Sequence, residues 1–193
     1  PEECEPLNTD YMPRENSSED DSWDPCISDD NAYHRIEESI SSISRVGAFE
    51  EIADLLWRNG TPSVQDFVDS RVIYSEDQGL DSRVQRREDE HYPPVTDGEG
   101  NELACSDEGV PDLDPERCVG PALILPLLNE AFESGIQGEA PEQNAAQIEA
   151  ALLWFLHVSV YKEANTCTDK AKDCDSSWAY YTGGTERNAP IGL

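Results

Sequence analysis

The most apolar part of the chain, residues 140–161, has the periodicity of a helix. Pro141 suits the first helical turn, where its missing N–H is not needed, and Glu142 adds negative charge at the positive end of the helix dipole. Apolar side chains recur around the whole helix, at Ile148, Ala151, Leu152, Phe155, Leu156, Val158 and Val160. The pattern predicts a central helix that neighbouring elements bury.

This helix is not expected to cross a membrane. Its uninterrupted apolar run covers only residues 150–156, far fewer than the roughly 18–20 residues that a transmembrane helix needs. Glu149 and Glu163 bracket the run, and their charges would be costly in a lipid bilayer.

Three more helices are predicted in the first half of the chain. The first covers residues 33–46, where isoleucines recur at helical spacing, and Gly47 is expected to break it. The second covers residues 49–56 and stops at Gly60. The third has Thr61 as its N-cap, and its predicted inward-facing residues are Val64, Phe67, Val68 and Ile73.

The periodicity is lost between residues 75 and 119, which are rich in acidic residues and proline. A loop of this length in a compact domain is usually functional or held in place by other groups. The helix that follows is expected to kink or restart at Pro126 and to end at Gly135. Asp175 or Ser176 is expected to cap a last helix.

Together these patterns predict an all-α fold, a disulfide-stapled helical bundle of five or six helices with a long acidic loop. Residues 1–27 carry too little apolar surface to fold alone and are interpreted as an acidic N-terminal tether. Residues 28–193 are interpreted as one helical domain. Because the sequence stops at an apolar tripeptide without a helix terminus, we expect the domain to be incomplete at its C-terminus.

The net charge of the chain limits the classes of molecule that it is expected to bind. Its 42 acidic and 13 basic residues give a net charge of −29. Nucleic acids and anionic membranes require clustered Lys and Arg, so a general affinity for them is not expected. Two interpretations stay open. The acidic surface either keeps the protein soluble in salty water, as in a halophilic protein, or collects cations.

Six cysteines form neither a CxxC pair nor a zinc-finger spacing. Three disulfides are therefore expected, although six cysteines allow 15 connectivities. The simplest pairing is sequential: Cys4 with Cys26, Cys105 with Cys118, and Cys167 with Cys174. Disulfides indicate an oxidising compartment, so we expect an exported protein, extracellular or periplasmic.

One candidate metal site lies in the long loop and has the spacing of a calcium-binding loop. Oxygen donors stand at Asp97, Glu99, Asn101 and Glu108, which correspond to positions 1, 3, 5 and 12 of an EF-hand. Glu102 occupies the sixth position, where an EF-hand has glycine. A solvated acidic loop is the alternative interpretation.

A second candidate site lies inside the bundle, where carboxylates, an imidazole and a phenol are ligands that iron accepts. Its members are Glu130, Glu133, Glu149, His157, Tyr161 and Glu163. The paired E-x-x-H motifs of di-iron proteins are absent from the chain, which counts against an iron oxidase. The alternative is that these side chains lie at the surface or the edge of the core.

Residues 175–184, DSSWAYYTGG, resemble a segment of the secreted helical iron-assimilation proteins of algae and of related microbial exported proteins. The resemblance rests on Trp178, Tyr181 and Gly183. It implies an exported helical protein that handles iron, and it assigns no ligand.

No motif for nucleophilic catalysis, zinc hydrolysis or phosphate-loop chemistry occurs in the chain. The first hypothesis is therefore a non-catalytic protein that binds cations, iron or calcium, outside the cytoplasm. The alternative is a structural or assembly subunit that docks to other protein chains of an extracellular complex. A third hypothesis is an enzyme whose active site lies in a C-terminal part beyond this sequence.

Overall fold

The computed structural model describes residues 41–76 and 79–183, and this part of the chain is helical. Its β-type pairing is limited to an isolated antiparallel bridge between Thr96 and Glu102. The helices are α1 (Ser41–Ala53), α2 (Val64–Glu76), α3 (Leu80–Val84), α4 (Val110–Leu113), α5 (Leu125–Ile136), α6 (Pro141–Thr166) and α7 (Ala171–Thr182). The predicted all-α, disulfide-stapled fold is confirmed. The N-terminal tether, Cys4 and Cys26 lie outside the described residues.

Helix α6 is the centre of the fold, as predicted. It starts at Pro141 and continues past the expected end at residue 161 to Thr166. It packs mainly against α5 and α7, and its side chains form much of the main hydrophobic core. Burial is not complete around the helix, because Leu153 and Trp154 are each 37% exposed. None of the helices in the described ranges is long and apolar enough to cross a membrane.

Gly47 does not break the first helix, so that prediction is wrong. Helix α1 runs through Gly47 and passes directly into a π-helical turn, Asp54–Arg58. A glycine inside a helix costs about 1 kcal/mol relative to alanine. Burial of the neighbouring Val46 and Phe49 against the core outweighs that cost.

The start of α2 also differs from the prediction. Ser63, not Thr61, caps the helix: its N–H and hydroxyl both donate to Asp66 Oδ2 at 2.7 Å, and Asp66 N–H donates back to Ser63 Oγ. The hydroxyl of Thr61 instead donates to Glu142 Oε1 at 2.8 Å, which ties the start of α2 to the start of α6. Val64, expected to face inward, is 47% exposed.

Helix α5 continues through Gly135, which was expected to end it. A Cβ atom at this position would lie 2.3 Å from Cδ1 of Phe67, so glycine allows the buried Phe67 ring to pack directly on the α5 backbone. Gly138, with φ of 80°, makes the turn towards α6. The change expected at Pro126 is present just before it, where the π-helical turn Gly120–Ile124 gives way to the α-helix.

The predicted long loop is held in place by a buried arginine and a disulfide. Arg117 is 8% exposed; its guanidinium donates to Glu88 Oε2 at 2.6 Å and to the carbonyl oxygens of Asp89 and Tyr92. A small second core surrounds the Cys105–Cys118 disulfide.

Two of the three predicted disulfides are present. Cys105 pairs with Cys118 across a Cα–Cα distance of 5.2 Å, and Cys167 pairs with Cys174 across 4.6 Å. The second disulfide joins the end of α6 to the first turn of α7. Helix α7 therefore starts at Ala171, before the expected caps Asp175 and Ser176, which are buried within the helix.

The contact between Gly135 and Phe67 gives a stability prediction. The substitution Gly135→Ala should lower the free energy of unfolding by about 1–3 kcal/mol, because the new methyl group overlaps the Phe67 ring. Gly47→Ala is the matched control: no atom lies within 4 Å of its Cβ, so it should raise stability by up to about 1 kcal/mol. Urea unfolding followed by circular dichroism measures both. Equal stability of Gly135→Ala and the parent protein would contradict the close packing.

Candidate functional site

The residues of the predicted calcium loop form a tight turn. Asp97 Oδ1 accepts the N–H groups of Glu99 at 2.8 Å and Asn101 at 2.9 Å, and Oδ2 accepts the Asn101 side-chain amide at 2.8 Å. The amide of Asn101, helped by the backbone N–H groups, holds the pKa of the Asp97 carboxyl below its usual value. Both oxygens of Asp97 thus have partners within the turn.

The other members of the calcium loop point to no common centre. Glu99, Asn101 and Glu108 are exposed. Across residues 41–76 and 79–183, no three His, Cys, Asp or Glu side chains form a group that could hold a metal ion. Calcium binding here stays a prediction, and the geometry by itself accounts for Asp97 and Asn101 as turn-forming residues.

The predicted iron ligands in the bundle are spread over different surfaces. Glu130 is exposed on α5, Glu149 is half-buried on α6, and Glu163 near the end of α6 lies beside Arg87. His157 is exposed on α6 but has a neighbour that the sequence did not indicate. Iron binding by these residues as one group stays a prediction without support from their placement.

The neighbour of His157 is His91, which the long loop brings onto α6. The two imidazole rings are nearly parallel, with centroids 6.3 Å apart, and His91 stacks on Tyr161 at 3.6 Å. His91 Nδ1 lies 2.6 Å from Asp89 Oδ1. A carboxylate in this position orients an imidazole and leaves its Nε2 free to bind a ligand.

Several cationic side chains line a cavity of about 430 Å³. The cavity lies between the start of α1, the region around α3, the end of α6 and α7. Its lining residues are Ser41, Ser42, Arg83, Arg87, Lys162, Glu163, Lys170, Lys172, Asp173 and Ser176. Five of the 13 basic residues of this very acidic chain, including all three lysines, therefore face one cavity. We call it the cationic pocket.

Arg87 is the most buried cation of this pocket. Its side chain is 2% exposed, and its guanidinium carbon lies 5.6 Å from the ring centroid of Phe155 and 5.9 Å from that of Tyr180. Nη1 lies 3.8 Å from Glu163 Oε1, too far for a hydrogen bond. Nε and Nη2 are buried and have no hydrogen-bond partner. Burial lowers the pKa of Arg87, since it disfavours the charged form.

Gly120, just after the long loop, fixes the backbone of Arg87, which lies in the first part of that loop. The Gly120 N–H donates to the Arg87 carbonyl oxygen at 2.9 Å, and a Cβ at Gly120 would lie 2.1 Å from the Val84 carbonyl oxygen. Gly120 lies two residues after Cys118 of the loop disulfide. The segment predicted to be functional or held in place is therefore held at Arg87, an arginine of the pocket.

More cationic groups surround Arg87. Arg83 lies one helical turn before it and lines the pocket, with a buried Nε that has no partner. Arg45, 6% exposed, donates through Nη1 to the Tyr180 hydroxyl at 3.0 Å, and its Nε also lacks a partner. Both arginines lower the pKa of Arg87 further by charge repulsion.

The carboxylates of the pocket do not balance its cations. Glu163 and Asp173 are its two acidic residues, and Asp173 Oδ2 already accepts the Thr166 hydroxyl at 2.6 Å. Burial is the main cause of a raised pKa at Glu163, partly offset by Arg87. Among the described residues, five cationic side chains line the pocket against these two carboxylates, and Glu90, outside the lining, lies 3.9 Å from Lys162 Nζ, so an excess of positive charge remains. Such a cavity attracts anions.

Sequence reasoning missed this pocket because the overall charge of −29 obscured it. Two local signals could have indicated it. Arg83 and Arg87 are four residues apart and so lie on one face of a helical turn, and the three lysines fall within residues 162–172. Their convergence depends on the fold of the long loop, which local patterns do not predict.

The segment that resembles iron-assimilation proteins forms most of α7. Tyr181 is 58% exposed, and Gly183, with φ of 72°, ends the helix in the left-handed conformation. This geometry gives Gly183 a structural role, and the resemblance itself stays a prediction. Comparison of the chain with protein-family models, curated proteins and solved structures found no match.

Proposed function

We propose that this protein binds a small anion, without catalysis, in the cationic pocket. The observation that carries the proposal is the Arg87 guanidinium, which is 2% exposed and has two buried N–H groups without partners. A buried charge costs several kcal/mol unless it is paired and hydrogen-bonded. An oxyanion would supply both the charge and the missing acceptors, and arginine matches its oxygens with a planar set of donors.

Glu163 alone does not meet this requirement. Its nearest oxygen stays 3.8 Å from Nη1 of Arg87, and its own burial raises its pKa. Arg83 and three lysines also line the pocket; Lys162 lies 3.9 Å from Glu90, and Asp173 is the other carboxylate of the lining among the described residues. The pocket therefore has an excess of positive charge for an added anion, next to the buried Arg87 donors.

The working environment in this proposal is outside the cytoplasm, in the extracellular space or the periplasm. The two described disulfides support it, because disulfides persist in oxidising compartments. The acidic remainder of the surface keeps such a protein hydrated and separate from other acidic molecules.

Substitution of Arg87 tests the proposal directly. Sulfate titrated into the full chain by isothermal calorimetry should bind, and Arg87→Gln should weaken binding about 10-fold or more, since hydrogen bonds to charged groups contribute about 1.5–3 kcal/mol. Arg86→Gln is the matched control: it removes the same charge from the adjacent, exposed residue, which does not line the pocket. Circular dichroism verifies the fold of both variants. No sulfate binding by the parent protein, or equal losses in the two variants, would reject the proposal.

The raised pKa of Glu163 predicts how binding depends on pH. As the pH falls through that pKa, Glu163 becomes neutral and its repulsion of an anion disappears. Sulfate affinity should therefore rise about three- to tenfold over the pH range in which Glu163 takes up its proton, while sulfate itself keeps its charge. Glu163→Gln should bind sulfate more tightly at pH 7 and show a flatter pH dependence. If the sulfate affinity of Glu163→Gln depends on pH as steeply as that of the parent protein, a group other than Glu163 causes the pH dependence.

We propose cation binding as a second candidate function, favoured by the His91 and His157 pair. Two imidazoles from different segments lie 6.3 Å apart by ring centroid, and Asp89 orients one of them. Imidazole suits zinc, copper, iron and nickel, whereas calcium prefers oxygen ligands. A site with two protein ligands would bind such an ion weakly, with water completing the coordination.

A metal titration tests this second candidate. Nickel or zinc added to the full chain should bind in the micromolar range or weaker, and His157→Ala should abolish most of the binding because one imidazole remains. Gln147→Ala, at another exposed residue of α6, is the matched control. Equal metal binding by the two variants would reject the site, and a chelator should reverse true binding.

A further inference from the structure

Building on the anion-binding function proposed above, we infer that the ligand is a compact molecule with at least two separate anionic groups, such as a diphosphate or a tricarboxylate. A single inorganic oxyanion would fill only part of this site, and a nucleotide or a polyanionic macromolecule would not fit it better. The charge, volume and lining chemistry of the cationic pocket support this inference.

The cations of the pocket outnumber the carboxylates near them. Among the described lining residues, five cationic side chains stand against Glu163 and Asp173, and Glu90, outside the lining, lies 3.9 Å from Lys162 Nζ. Five cations against three carboxylates leave an excess of two positive charges. One phosphate group carries roughly −1.5 to −2 charges at pH 7, so this excess calls for an anion, and the number of its anionic groups is inferred from the placement of the cations.

The cations also fall into two sets with different chemistry and depth. Arg83 and Arg87 come from α3 and the turn after it, and Arg87 is almost completely buried. The lysine set consists of Lys162 near the end of α6 and the exposed Lys170 and Lys172 in the disulfide-closed segment. Arginines favour planar, bidentate recognition, whereas lysines act as mobile point charges. We assign one anionic group to each set.

The volume agrees with a ligand larger than one ion. A cavity of 430 Å³ corresponds to roughly 14 times the volume of one water molecule in the liquid, about 30 Å³. An orthophosphate or sulfate, with four oxygens, occupies a small part of that space. Small-molecule pockets range over roughly 300–1,000 Å³, so the cavity is of the size that takes a compact organic anion.

An aromatic or lipid portion of a ligand would gain no affinity from the lining of this pocket. Every lining side chain among residues 41–76 and 79–183 is a serine, an arginine, a lysine or a carboxylate. In this part of the chain no aromatic ring lines the pocket to stack on a nucleobase, and no apolar side chain lines it to bury an acyl chain. A nucleoside diphosphate should therefore bind no more tightly than the diphosphate alone.

The net charge of −29 selects against long polyanions. At physiological ionic strength charges are screened over about 8 Å, so a small anion inside the pocket responds mainly to the nearby cations. An oligonucleotide or a sulfated polysaccharide would extend beyond that distance over the acidic surface and be repelled. The protein thus selects anions by their size as well as by their charge.

The experiment compares a panel of anions on the full-length chain by calorimetry at constant ionic strength, without added metal. Diphosphate and citrate should bind at least about 10-fold more tightly than orthophosphate or sulfate, since each can engage both sets of cations. Adenosine diphosphate should match or fall below diphosphate. A single-stranded oligonucleotide should not bind detectably.

Variants separate the two sets of cations. The double substitution Lys170→Gln and Lys172→Gln changes exposed side chains and should not disturb folding. It should weaken diphosphate about 10-fold and orthophosphate less than twofold. The control is Arg58→Gln with Arg86→Gln, which removes two positive charges away from the pocket lining. Equal losses for diphosphate in the two double variants would overturn the assignment of the lysines.

The possible failures are distinguishable. If orthophosphate binds as tightly as diphosphate and citrate, the ligand is a single oxyanion: the inference is wrong and the proposed anion-binding function stands. If no anion binds, both fail together. Tight binding of the oligonucleotide would overturn the selection by size. Tighter binding of adenosine diphosphate than of diphosphate would contradict the inference that the pocket binds its ligand through ionic contacts alone.

Discussion

The burial of α6 is the constraint on which the rest of the structure depends. This 26-residue helix is apolar over most of its circumference, so it must be covered from several sides at once. Helices α5 and α7 cover it most extensively, with contributions from both π-helical turns. The other helices add contacts of their own, such as Phe67 of α2 on the α5 backbone, and a small second core surrounds the Cys105–Cys118 disulfide.

The same arrangement creates the cationic pocket. Where α6 ends, the Cys167–Cys174 disulfide turns the chain back into α7 and brings two lysines to the opening. On the other side, the Gly120 N–H at the start of the π-helical turn holds Arg87 of the long loop. The Arg87 guanidinium lies near the rings of Phe155 and Tyr180, which reduces the water available to it and strengthens every nearby charge interaction. A cavity lined by five cationic side chains therefore occurs in a chain of charge −29.

The sequence predicted those features that depend on local patterns. The all-α class, the start of α6 at Pro141 and two sequential disulfides are of this kind. An error arose where tertiary contacts override local preference: Gly47 remains helical because its neighbours are buried. Helix α5 ends at Ile136, one residue after the predicted Gly135, whose missing side chain gives the Phe67 ring its space. The pocket was not predictable, since Arg87 and the lysines meet only through the folded loop. Metal ligands were predicted from spacing alone, but Asp97 and Asn101 satisfy each other in a turn.

The π-helical turn Gly120–Ile124 has a consequence for how the chain can change length. A π-helical turn contains about one residue more than an α-helical turn, so it behaves as a one-residue insertion absorbed within a helix. Deletion of this extra residue would rotate the chain that precedes the π-helical turn by roughly 100° relative to α5. Gly120 and the disulfide-bonded Cys118 would then lose their register with the Arg87 carbonyl. An insertion or deletion of even one residue between the loop and α5 would therefore disrupt these contacts.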